Sequence, residues 1–226
     1  MSAGVQAKWP VSGQNNFAYL AAALVLLLFG LALTHELGLV LGQVAVEAAF
    51  CAALATGVWS MHGDHQWHAT RLGLLAGLLM LLALRFWLVH SGLDFVWLGV
   101  LLAYLVVTTW SAMRLVLFSG PVDRNKVIGS FCIYLLLGII WATVYMMLAE
   151  YRPGAFDGLT FGSWHETFPN LLYFSFITLT TIGYGDITPA GPVAQFLAFM
   201  EAIIGQFYMA VLVASLVGIG ISNRRK

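Results

Sequence analysis

Long runs of apolar residues alternate with short polar connections along the whole chain. A helix that spans a membrane needs about 20 mostly apolar residues. The pattern therefore predicts an all-α membrane protein with six transmembrane helices, at 17–35, 39–61, 70–90, 94–118, 127–149 and 192–221.

A seventh apolar stretch, 168–182, is too short to span a membrane. It runs directly into a glycine-containing segment, which predicts a re-entrant helix followed by an extended chain. Irregular backbone at membrane depth occurs only where protein or a water-filled cavity covers it. We therefore expect this stretch to line an internal pathway.

The composition agrees with this pattern. The chain is 61% hydrophobic and 9% charged, with a mean hydropathy of +0.88, whereas soluble domains carry about 25% charged residues. Its formal charge of zero gives no sign of a nucleic-acid partner. Cys51 and Cys132 lie in apolar runs, which indicates packed core residues. The sequence contains no nucleophile–base pair that would indicate an enzyme and no motif that would indicate an organic cofactor. The hydrophobic composition implies that membrane lipids surround the protein.

Lys and Arg are unevenly distributed about the predicted spans. If both termini are cytoplasmic, eight of the ten basic residues lie on or near the cytoplasmic side of the membrane. Of the other two, Arg152 lies on the outer side and Arg85 lies within the third span. This satisfies the positive-inside rule. The pattern predicts a multi-pass protein of the cell membrane, expected to be a bacterial inner membrane, with these residues inside: Lys8, Arg71, Arg114, Arg124, Lys126, Arg224, Arg225 and Lys226.

The segment 180–189 reads Thr-Thr-Ile-Gly-Tyr-Gly-Asp-Ile-Thr-Pro. Glycine adopts left-handed conformations without the steric cost that a Cβ brings, so Gly183 and Gly185 permit a backbone that alternates in handedness. Carbonyls in such a backbone point at one axis and can replace the water shell of an ion. The alternative is a plain glycine-rich turn. We predict that five consecutive residues bind ions: Thr181, Ile182, Gly183, Tyr184 and Gly185.

The sequence Thr-Ile-Gly-Tyr-Gly resembles the signature of tetrameric potassium channels, and the resemblance extends over 127–221. This pore module has an outer helix, a pore helix, a filter and an inner helix, and Gly205 follows Gly185 by twenty residues, as in the family. The resemblance implies a bacterial six-helix channel that assembles as a homotetramer, each chain supplying one quarter of a filter that holds potassium ions. It also implies that Thr180 and Asp186 support the two ends of the filter.

Two positions behind the filter depart from the family pattern. Many members have a pore-helix tryptophan that donates a hydrogen bond to the aspartate after the filter, and we assign its position to Phe174, which has no donor. Ile177 replaces a pore-helix carboxylate. Asp186 is therefore expected to lack its side-chain tether. Glu201 is ionisable at membrane depth and hence a functional candidate, and we expect it to anchor the pore helix.

The start of the pore helix is predicted near Thr167 or Phe168, because Pro169 is harmless only in a first turn. The alternative is a capping box at Ser163-x-x-Glu166. That start would place Pro169 deep within the helix.

The inner helix offers two kinds of gating candidate. Met209, Val213, Val217 and Ile221 are four residues apart and share one face, which the resemblance aligns with the lumen, where an apolar ring gates by dewetting. Packing against neighbouring helices is the alternative. Gly205 is either a bend or a close-packing contact.

The chain divides into a four-helix domain, 1–118, and a pore domain, 119–226. The first resembles a voltage sensor in layout but has one basic residue, Arg114, in its fourth span, where a sensor needs several. We therefore predict passive potassium conduction without steep voltage gating. The alternatives are a channel with an unconventional sensor and a ligand- or metal-sensing membrane protein with a non-conducting pore.

The connection 119–126 between these domains contains Gly120-Pro121, which prevents a long linker helix. An arrangement in which the four helices pack on a neighbouring subunit generally uses such a linker. We therefore expect them to pack on the pore domain of their own chain.

One candidate site lies outside the pore, in the loop containing His62, Asp64, His65 and His68. Three histidines and an aspartate within this short stretch can bind zinc or sense protons. Clustered histidines are also ordinary at a membrane interface, so both interpretations stay open.

Overall fold

The computed structural model describes residues 17–37, 50, 52–58, 65–87, 92–118, 124–160, 162 and 164–224. Most of these residues are helical, as the apolar runs predict. The helices are α1 (Phe17–Leu37), α2 (His65–Trp87), α3 (Gly92–Phe118), α4 (Arg124–Tyr151), α5 (Trp164–Leu179) and α6 (Pro192–Arg224). A further helical segment lies at 52–58.

Four of these helices are long and apolar enough to cross a membrane within the described residues. The qualifying stretches are Phe17–Thr34, Asp94–Val116, Asn125–Tyr151 and Pro192–Leu212, in α1, α3, α4 and α6. Helix α2 has a shorter apolar stretch, Ala69–Leu81, and most of the predicted span 39–61 lies outside the described residues. The all-helical membrane class is confirmed, and the count of six spans stays a prediction.

Helix α4 is the centre of the packing, because it contacts α1, α3, α5 and α6. Cys132, Ile133 and Ile139 are at most 1% exposed, and all lie on this helix. A helix buried against neighbours on several sides must be apolar around much of its circumference, as its sequence is. Cys132 is a packed core residue, as predicted, whereas Cys51 lies outside the described residues.

The first helices dock on α4 of the same chain. The amide of Phe17 donates to Asn125 Oδ1 at 3.2 Å, and the Cys132 thiol lies 3.5 Å from the carbonyl oxygen of Phe17. A Cβ at Gly129 would lie 2.7 Å from Val116 and 3.0 Å from Phe17. The glycine therefore permits the close approach of α1 and α3 to the start of α4.

Helix α5 begins at Trp164, so the predicted start near Thr167 or Phe168 was wrong. Pro169 lies inside the helix. The turn before it is held by packing: the Trp164 ring stacks on Phe168 with centroids 4.2 Å apart and meets Trp97 of α3 edge-on at 4.9 Å. These contacts keep the first turn helical despite the backbone bond that proline cannot make.

Two short strands were not foreseen from the sequence. Strand β1 (Phe156–Asp157) pairs antiparallel with β2 (Thr188–Pro189), with Phe156 opposite Pro189 and Asp157 opposite Thr188. Two-residue strands are too short to produce an alternating pattern. The pairing brings the loop after α4 to the chain segment that follows residues 181–185.

Candidate ion-conducting site

The residues that follow α5 are held to the last turn of this helix by backbone hydrogen bonds. The amide of Thr181 donates to the Thr178 carbonyl at 2.9 Å, and the amides of Ile182 and Gly183 donate to the Ile177 carbonyl at 2.8 and 3.2 Å. Ile177 thus supports the segment through its backbone, while its side chain is buried. The start of the extended segment is fixed to the helix that precedes it.

The backbone of this segment alternates in handedness. Thr181, Gly183 and Gly185 have φ values of 60°, 58° and 82°, whereas Ile182 and Tyr184 do not have positive φ. The sequence predicted this for the two glycines. Thr181 was missed, since a β-branched residue at positive φ is an outlier that no sequence pattern signals. Because the handedness alternates from one residue to the next, successive carbonyls point towards the same side.

A Cβ at Gly183 or Gly185 would meet no heavy atom within 4 Å in the chain. Among the described residues of a single chain, a steric clash is therefore not what requires glycine at these two positions. The requirement for glycine here is conformational, because a residue with a Cβ in the left-handed region is strained.

Residues 181–186 are exposed in the isolated chain. Tyr184 is 70% exposed and Ile182 is 54% exposed, so neither side chain is covered by its own chain. Large apolar surface without cover usually marks an interface with protein or membrane.

The side chain of Asp186 interacts with Tyr173 of α5, a neighbour that the sequence did not indicate. Desolvation, the interaction with the Asp186 side chain and the charge of that carboxylate together raise the pKa of Tyr173. We had assigned the donor position to Phe174. Neighbouring residues on a helix differ by about 100° in direction, so an assignment that is wrong by one residue selects a different face.

Phe174 instead faces the protein core. Its side chain is 4% exposed, and its ring centroid lies 5.1 Å from Tyr145 and 5.4 Å from Phe156. The Thr180 hydroxyl, at the start of the extended segment, donates back to the Phe176 carbonyl at 2.6 Å and so caps the end of α5.

Glu201 joins three helices at one buried point. It is 0% exposed, and it accepts hydrogen bonds from the Tyr145 hydroxyl of α4 and, at 2.6 Å, from the Ser175 hydroxyl of α5. Ser175 Oγ also lies 2.8 Å from the carbonyl oxygen of Gly138. The expected contact between Glu201 and the pore helix is present, whereas Tyr145 was not foreseen, since nothing in the sequence links residues 56 positions apart.

Gly205 is a close-packing contact in this structure. A Cβ there would lie 2.6 Å from the carbonyl oxygen of Leu179 and 2.9 Å from its Cδ1, and α6 continues as one helix on both sides. The Tyr134 hydroxyl donates to the same Leu179 carbonyl at 3.2 Å. The end of α5 is thus enclosed between α4 and α6.

The remaining gating candidates are only partly visible. Met209 is 43% exposed, and the side chains of Val213, Val217 and Ile221 lie outside the described residues. Gln206, which sequence reasoning missed, has its amide nitrogen 3.5 Å from the Thr181 hydroxyl oxygen. This position of α6 therefore adjoins the inner end of the extended segment.

The histidine-loop prediction cannot be located in the structure. His62 and Asp64, and the side chains of His65 and His68, lie outside the described residues. Among the side chains that the structure does describe, no group of three or more His, Cys, Asp or Glu could hold a metal ion.

Comparison with known proteins matches this region to channels. A family profile for ion channels matches residues 133–220, from α4 through the extended segment into α6. Two pore potassium channel c of Oryza sativa subsp. japonica is 38% identical over 84 residues, and Inward rectifier potassium channel Kirbac3.1 of Paramagnetospirillum magnetotacticum is 32% identical over 93. Protein LctB of Geobacillus stearothermophilus is 30% identical over 127 residues. No solved structure matches the chain.

The shares covered differ among these relatives. The matches take up 37% and 41% of this chain but only 16% and 28% of the two potassium channels. The match to LctB takes up 54% of this chain and 92% of LctB. These likenesses separate the chain from enzymes, as the sequence predicted. The chain belongs to the family of LctB, and its residues 133–220 match the ion-channel profile.

Proposed function

We propose that this protein is a potassium-selective channel that conducts passively through a filter formed by residues 181–185. The observation that carries the proposal is the alternation of positive φ at Thr181, Gly183 and Gly185. Such a backbone presents a row of carbonyl oxygens to a dehydrated potassium ion. Two of the relatives are potassium channels by name, which supports the same ion.

The channel is a homotetramer in this proposal, because each chain has one such segment and a closed ring of carbonyls needs four. Tyr184 and Ile182, largely exposed in the single chain, then face neighbouring subunits. Helix α6 has further exposed rings that suit an interface or the lumen: Phe196, Phe199 and Phe207, which are 53%, 51% and 69% exposed.

The proposed topology has six spans with both termini in the cytoplasm of the cell that makes the protein. It follows from the distribution of basic residues and from the position of the filter near the outer face. Lipids cover the outward apolar faces, such as Leu26 and Phe29 of α1, which are 68% and 65% exposed.

The four-helix domain packs on its own subunit's pore in this proposal. The contacts of Phe17 with Asn125 and of Trp97 with Trp164 support it, since each joins the two domains within one chain. Helix α3 has one basic residue, Arg114, too few for steep voltage gating.

Uptake into liposomes tests the proposal. Liposomes containing the purified protein should accumulate rubidium, a potassium substitute, far faster than sodium, whereas liposomes containing Gly183→Ala should take up neither. Equal uptake of the two ions by wild-type protein would reject the filter. A tetramer structure in which α3 packs mainly against α4 of the next subunit would reject the domain arrangement.

A further inference from the structure

The outer end of the filter is also contacted by a loop from a distant part of the sequence. This outer loop, residues 152–158, follows α4, and its strand β1 pairs with β2 just after the filter. The amide of Ala190 donates to the Ala155 carbonyl at 3.0 Å. The chain beyond Asp186 is therefore held by this loop as well as by α5.

The outer loop is itself anchored in the core. Phe156 is 5% exposed, and its ring centroid lies 5.4 Å from both Tyr145 of α4 and Phe174 of α5. Moving the loop would open this aromatic cluster, which loses both apolar burial and ring contacts. The loop is thus a fixed support.

Gly158 brings the loop against the filter end. Real Cβ atoms keep at least 3.0 Å from such neighbouring atoms. A Cβ at Gly158 would lie far closer than this to the Asp186 carbonyl oxygen, and it would lie 3.1 Å from the carbonyl carbon. Both are backbone atoms, so no side-chain rotation relieves the contact. A side chain at Gly158 must displace either Asp186 or the loop.

We propose that Gly158 is a positioning residue that fixes the Asp186 carbonyl and, through the adjoining Gly185, the outermost part of the filter. The proposal rests on the proposed function and gives the outer loop the task of keeping the filter conductive. Tyr173 of α5 interacts with the Asp186 side chain, and Gly158 of the outer loop fixes the position of the Asp186 backbone. Two elements thus support one residue.

Gly154 provides a matched control within the same loop. Its φ is 84°, against 76° for Gly158, but a Cβ there meets nothing within 4 Å. Gly154→Ala therefore introduces comparable backbone strain without the contact. Differences between the two alanine variants report the contact with Asp186 alone.

Recordings from channels in planar bilayers test the proposal. Gly158→Ala should inactivate about tenfold faster than wild type, which corresponds to ~1.4 kcal/mol, and its reversal potential between potassium and sodium should move towards that of an unselective pore. Gly154→Ala should match wild type in both. If four copies of Gly158→Ala prevent assembly, a tandem tetramer with the substitution in one subunit should show a smaller change in the same direction.

The outcomes separate this inference from the proposed function. If Gly158→Ala behaves like wild type, or if both alanine variants change equally, the positioning role is rejected while potassium selectivity stands. If wild type and Gly154→Ala do not distinguish potassium from sodium, the proposed function itself is rejected.

Discussion

Tyr145→Phe removes one oxygen atom from the buried point where α4, α5 and α6 meet. Tyr145 and Glu201 are both 0% exposed, so the carboxyl oxygen that loses its donor finds no water. Hydrogen bonds between membrane helices contribute about 0.6 to 1.7 kcal/mol, and leaving a buried acceptor unpaired costs about 1 to 3 kcal/mol. We therefore expect the free energy of unfolding to fall by about 1 to 2 kcal/mol per subunit, or roughly 2 to 8 °C in melting temperature.

The variant should also loosen the filter, because Glu201 holds α5 through Ser175. Thermal unfolding in detergent measures the stability, and the ratio of rubidium to sodium uptake into liposomes measures the filter. Tyr208→Phe is the matched control: its hydroxyl donates to the Ser130 carbonyl at 2.7 Å and so joins α6 to α4 away from Ser175. It should lower stability and leave the uptake ratio unchanged.

Two results would refute this reasoning. One is an unchanged uptake ratio in Tyr145→Phe despite its lower stability, which would mean that the junction does not position the filter. The other is an equal fall in the ratio for both tyrosine variants. A double-mutant cycle with Ser175→Ala adds a direct test, since two residues that act through Glu201 should show non-additive effects.

Three further predictions follow from the filter and the four-helix domain. Tyr173→Phe removes the hydroxyl that interacts with Asp186, so currents should inactivate faster, while Tyr151→Phe, at an 81% exposed side chain, should not change the rate; equal rates in wild type and both variants would reject a supporting role for Tyr173. Gly183→Ala places a Cβ at a φ of 58°, costing about 1 to 2 kcal/mol per subunit, so gel filtration should still find tetramers but flux should be lost; normal flux would contradict the conformational argument. Arg114→Gln should leave the conductance–voltage relation unchanged, and a steep relation that this variant abolishes would show that the domain senses voltage.

The filter was the most predictable part of the site, for a physical reason. Left-handed backbone is accessible mainly to glycine, so Gly183 and Gly185 indicated two of the three left-handed positions in residues 181–185. Thr181 carries no such sign, because its conformation is imposed by the backbone bonds that fix its neighbours to α5.

The supports behind the filter were less predictable, because they depend on contacts between distant segments. The sequence indicated that Glu201 was functional from its depth in an apolar run, but not that Tyr145 would reach it. The α5 residue nearest Asp186 was placed one residue away, at Phe174 instead of Tyr173, since the direction of each α5 side chain depends on how that helix is rotated against its neighbours.

The outer loop could not be predicted at all. Strands of two residues leave no periodic signal, and the importance of Gly158 arises from an approach to Asp186 across 28 residues of sequence. The start of α5 was missed for a related reason, since the packing of Trp164 on Phe168 and Trp97 outweighs the local effect of Pro169.

The reversal potential of single channels, with potassium on one side of the bilayer and sodium on the other, tests the central claim most directly. The account predicts a potential set by the potassium gradient, because the carbonyls of residues 181–185 replace the hydration shell of potassium far better than that of sodium. A reversal potential near zero, meaning equal permeability to the two ions, would contradict it.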